Sequence, residues 1–93
     1  MTARHATPYL SVELEVAGDT RSLTLLDRSG LVPEELIVET RPSATAPGAT
    51  ALHAEFWTGT ELASGSVQLT PIQLRALAAL CEAAASNAEA GGR

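Results

Sequence analysis

Residues 9–16 read YLSVELEV, which puts Leu10, Val12, Leu14 and Val16 on one side of an extended chain and Ser11, Glu13 and Glu15 on the other. That period of two is the mark of a strand with one face buried and one solvated. AGDT, residues 17–20, supplies a Gly-Asp turn, and residues 22–26 return as a second strand with Leu23 and Leu25 facing inward, so the pair reads as a hairpin. DRSG follows as a type I turn, with Asp27 first and Gly30 last. Pro33 and two acids leave residues 31–35 open to a short helical turn, whereas 36–40 have the β-branched content of a strand. RPSATAPGAT, residues 41–50, is expected to be a loop and the most mobile internal segment. Alternation resumes over 51–57. TGTE then turns the chain into a strand over 62–69, where Gly65 between Ser64 and Ser66 suggests a bulge. Residues 1–8 carry no such pattern and are expected as a flexible N-terminal segment.

A different period begins at residue 70. Thr70 is a good N-cap, Pro71 suits the first helical position, and Gln73 stands where it can reach back to the Thr70 amide. Leu69 and Leu74 occupy the positions of a hydrophobic staple. The pattern predicts a helix over 70–90, stopped by Gly91 and Gly92. At 100° per residue, Leu74, Leu77, Ala78, Cys81, Ala85 and Ala88 form a stripe expected to lie on the sheet. The opposite side is also apolar and small: Ile72, Ala76, Ala79 and Ala83, with Leu80 bridging the two. Alanine is the best helix former and tolerates solvent. Ile72 and Leu80 tip the reading toward an interface with a second helix or sheet, formed by Ile72, Ala76, Ala79, Leu80 and Ala83. The predicted fold is α+β, an antiparallel sheet of four or five strands with one C-terminal helix packed on a face.

The segment LTPIQLRALAA, residues 69–79, resembles the closing helix of small actinobacterial domains of uncharacterised function, in which an antiparallel sheet precedes an L-T-P-x-Q-x-R-A-L-A run. The resemblance rests on Leu69, Thr70, Pro71, Gln73, Arg75, Ala76, Leu77 and Ala78. It implies the same strand-then-helix order and no particular activity.

Length bounds these readings. The 93 residues hold one domain. A chain this short buries only about 60–65% of its unfolded surface, so association adds usefully to its stability. The net charge is −5, and all six basic residues are arginines, scattered singly along the chain. Phosphate backbones and anionic membranes both require a basic face, so neither nucleic acid nor a membrane surface is an expected partner. Cys81 is the single cysteine, which points away from a disulfide scaffold and toward a cytoplasmic protein. No run has the length of a signal sequence or of a membrane span.

The candidate chemistry lies on one strand face. Alternation over 51–57 puts His53, Glu55 and Trp57 side by side, an imidazole, a carboxylate and an indole suited to acid–base work or to gripping a small cationic or aromatic ligand. The same pattern also describes an ordinary solvated strand face. No two residues have zinc-ligand spacing, no phosphate loop or nucleophile elbow is present, and no metal or cofactor is expected. Cys81 reads as a small hydrophobe. Glu13, Glu15, Glu34, Glu35 and Glu39 read as a solvated acidic surface, with capture of a basic protein as the alternative. The sequence therefore points to a non-enzymatic protein-interaction or regulatory module, partnered by a second copy or by another protein. The competing reading is a small-molecule binder or small enzyme using His53, Glu55 and Trp57 in a dimer cleft.

Overall fold

Six strands in sequence order, each hydrogen-bonded to the next, make one antiparallel sheet followed by a single helix. The computed structural model describes residues 1–91. The strands are β1 (Thr2–Ala6), β2 (Leu10–Ala17), β3 (Thr20–Asp27), β4 (Glu34–Pro42), β5 (Thr50–Thr58) and β6 (Leu62–Leu69), and the helix is α1 (Pro71–Gly91). The α+β class and the C-terminal helix are those the hydrophobic pattern predicts, but the strands number six rather than four or five. The added strand is β1, inside the segment expected to be flexible. It pairs Ala3 with Leu14 and His5 with Val12 along the outer side of β2, and all five of its residues are exposed.

The turns follow from residue chemistry. Gly18 has φ of +61° at the first position of the two-residue β2–β3 loop, where a II′ turn takes glycine. The backbone N–H and hydroxyl of Ser29 both donate to Asp27 Oδ1, fixing the next turn. These two hydrogen bonds, the hydroxyl's first, hold the Asp27 carboxyl below its ordinary pKa. Residues 31–33 form no helix, and β4 begins at Glu34. The β5–β6 register is one-to-one from Thr50↔Leu69 to Trp57↔Leu62, with Gly65 opposite Ala54, so the bulge suggested there does not form. The capping box does: Gln73 N–H donates to Thr70 Oγ1 at 3.3 Å, and Thr70 N–H donates to Gln73 Oε1 at 2.9 Å.

Uninterrupted register sorts the side chains into two faces. On one, Val12, Leu25, Leu36 and Phe56 form a row across the strands, and Leu14, Leu23, Val38 and Ala54 form the next. Leu10, Asp27 and Glu34 lie beyond the first row, and Val16, Arg21, Thr40 and Leu52 beyond the second. The other face carries Glu13, Thr24, Ser22, Glu39, His53, Glu55, Ser64 and Ser66, with Ile37, Leu26 and Trp57 among them.

The helix meets the sheet at β6. Thr70 alone separates Leu69 from Pro71, and one residue ahead of a fixed proline φ gives little room to turn the helix back across the strands. Leu69 and Leu74, the staple positions, are half-buried. The rest of the stripe expected against the sheet is exposed, Cys81 included. Among the described residues no side chain, apolar or polar, is fully buried.

Candidate functional site

The polar face gathers its chemistry around β5. His53 and Glu55 both project from it because they are two residues apart on one strand, and their side chains meet, His53 Nε2 lying 3.4 Å from Glu55 Oε1. Cross-strand pairing then adds a residue that no pattern in the sequence singles out for this role. Ser66 lies opposite His53 on β6, with its Oγ 2.7 Å from His53 Nδ1. When Nε2–H donates to Glu55, Nδ1 is left to accept from the Ser66 hydroxyl, so the three form a hydroxyl–imidazole–carboxylate relay. Glu39, on the β4 side of His53, takes a 2.6 Å ion pair from Arg41 Nη2.

Next to the relay, the 43–49 turn folds down onto the end of β6. Ser43 Oγ donates to Gln68 Oε1, and Gln68 Nε2 donates to Thr45 Oγ1 at 3.0 Å. The N–H groups of Thr45 and Ala46 both donate to Ser43 Oγ. A recess of about 290 Å³ results, in which Arg41, Thr45, His53, Ser66 and Gln68 share the walls with Pro42, Ala44, Ala51 and Leu52. The loop expected over 41–50 is therefore tied to the sheet by side-chain hydrogen bonds.

Of the predicted trio, Trp57 stands apart. It shares the face, yet its cross-strand neighbours are Glu35 and Leu62, and the recess does not include it. Nor does the recess supply all that acyl transfer needs. Backbone N–H groups of a strand ladder point along the sheet toward neighbouring strands, so none converges above Ser66 as an oxyanion hole requires. The arrangement is suited to holding a small hydrogen-bonding ligand. Among the described residues no three His, Cys, Asp or Glu side chains are grouped to hold a metal.

The chain shows no significant match to any family model, curated protein or solved structure. No helix among the described residues is long and apolar enough to cross a membrane.

The second surface is apolar. Ile72 and Leu80 on α1 are 79% and 65% exposed, and Ala76, Ala79 and Ala83 are exposed with them. On the sheet, Leu10, Val12, Leu25, Leu36 and Phe56 line an open groove of about 290 Å³, with Asp27 and Glu34 at one end. Leu10 is 51% exposed and Phe56 43%. A monomer that leaves two such apolar surfaces in water is unusual, and large exposed patches mark interaction sites.

Proposed function

We propose that the protein is a non-enzymatic interaction or regulatory module that works as a homodimer or as the accessory subunit of a larger complex. The observation that carries this reading is the solvent-exposed helix: 21 residues long, capped at its start, and presenting Ile72, Ala76, Ala79, Leu80 and Ala83 to solvent. A helix of this length draws most of its stability from packing of an apolar face, and its contact with β6 leaves that face free. Small side chains at Ala76, Ala79 and Ala83 admit a close neighbour, with Ile72 and Leu80 as anchors. Replacing Ala76 and Ala83 with glutamate keeps helix propensity nearly unchanged but places two charges in the contact. The double variant is expected to stay folded by circular dichroism and to fall in mass by light scattering over a range of concentrations. A wild-type mass in that variant refutes the assignment.

A second reading is favoured by one specific feature, the relay of Ser66, His53 and Glu55 beside the 43–49 turn. In it the polar face binds a small ligand with hydrogen-bonding groups. A metabolite panel read by chemical-shift changes of the His53 ring is the check. Binding that His53→Ala weakens by about tenfold, as loss of a ring that holds both Ser66 and Glu55 in place would do, supports this reading, and no perturbation across the panel removes it.

A further inference from the structure

The apolar sheet face is uncovered as α1 is, with Leu10, Val12, Leu14 and Phe56 exposed and Leu23, Leu25, Leu36 and Val38 half-buried among them. The chain exposes 7040 Å², whereas a compact monomer of 9.6 kDa exposes about 5,100 Å². Its radius of gyration is 14.9 Å, against about 12.3 Å for a compact chain of this length. The excess of about 1,900 Å² per chain is shared between α1, which meets the sheet only at β6, and the uncovered apolar face. Two copies closed into one compact body would expose about 8,400 Å², burying about 5,600 Å² in all, which is the size of an obligate homodimer interface.

We infer that the occupant of this face is a second copy of the same chain, the two sheets stacking face to face about a two-fold axis that runs across the strands. This rests on the homodimer reading above and adds the surface and the orientation. Two orientations of the axis stack the sheets with their strands aligned. With the axis along the strands, β3 lies over the partner's β4 with like ends together, and the carboxylates of Asp27 and Glu34, already neighbours within each chain, are stacked on their symmetry copies. With the axis across the strands, β3 lies antiparallel over its own copy. The succession Asp27, Leu25, Leu23, Arg21 then meets itself reversed, and Arg21 of each chain faces Asp27 of the other. On β5 the same operation sets Phe56 against Ala54, large against small, as interdigitating sheets about 10 Å apart require. Both the charges and the volumes select the second axis.

The test uses the full chain with Cys81 replaced by serine. New cysteines are placed singly at Val12 and Leu25 on the apolar face and at their chain neighbours Glu13 and Thr24 on the polar face. A short bismaleimide is expected to link Val12→Cys and Leu25→Cys into covalent dimers and to leave Glu13→Cys and Thr24→Cys as single chains. Either polar-face cysteine linking as well as its neighbour overturns the inference. In the chain without added cysteines, Arg21→Glu is expected to raise the dissociation constant by about tenfold or more, and Asp27→Arg in the same chain to restore it. No weakening by Arg21→Glu overturns the orientation. If the Ala76 and Ala83 glutamates dissociate the dimer while no apolar-face cysteine links, the helix reading survives and the sheet-stacking inference fails. A monomer at every concentration refutes both, including where lipid vesicles or another protein occupy the face.

Discussion

The melting temperature of the protein is expected to rise with its own concentration, by about 4 °C for each tenfold increase. Among the described residues no side chain is fully buried, so the isolated chain has no dry interior to hold it together. On the proposed homodimer, its hydrophobic stabilisation is realised on association, and folding and dimerisation become one equilibrium. A tenfold change in concentration is about 1.4 kcal/mol of mass action. Unfolding two chains of 93 residues releases about 0.39 kcal/mol/K, and the ratio gives the slope. Scanning calorimetry over a hundredfold range of concentration measures it. A midpoint that does not move means that the chain stabilises itself, and the association readings then fail with it.

Gly59→Ala is expected to destabilise the protein by about 1–3 kcal/mol. Gly59 has φ of +82°, a left-handed conformation that a side chain disfavours, and a Cβ built there overlaps Val32 Cγ1. Gly48 is the internal control, because its φ is +79° and a Cβ there meets nothing within 4 Å. Gly48→Ala therefore reports the backbone cost alone, about 1 kcal/mol. The difference between the two variants is the price of displacing Val32 and the 28–33 loop from the β5–β6 turn. Val32→Ala in the Gly59→Ala background should recover that difference and no more. Urea denaturation at one fixed protein concentration reads all four chains, and equal effects of the two alanines would show that Val32 moves aside freely.

The elements that could be read from the chain are those whose own residues carry a period. Residues 9–16 and 51–57 alternate, and β2 and β5 follow them. Thr70, Pro71 and Gln73 announce α1 because capping is local chemistry. β1 was not legible: Thr2–Ala6 has no apolar alternation, and it is a strand because the outer edge of β2 offers it a ladder. The candidate site divides in the same way. His53 and Glu55 share a strand, so their meeting follows from a spacing of two. The arrival of Ser66 depends on the β5–β6 register, which the Gly59 turn sets and which a single bulge at Gly65 would have shifted. The stripe on α1 misled for a related reason. Periodicity identifies an apolar face but not what it rests on, and a one-residue joint at Thr70 keeps most of that face off the chain's own strands.

Because every strand pairs with its neighbour in sequence, the sheet can form in the order in which the residues are synthesised, with no wait for a distant segment. During translation each hairpin can therefore close as soon as its second strand has left the ribosome, and by the time β6 emerges the residues of α1 are already made and held behind it. The sheet is thus laid down strand by strand from the β1 edge, and α1, released last, joins a platform that is already built.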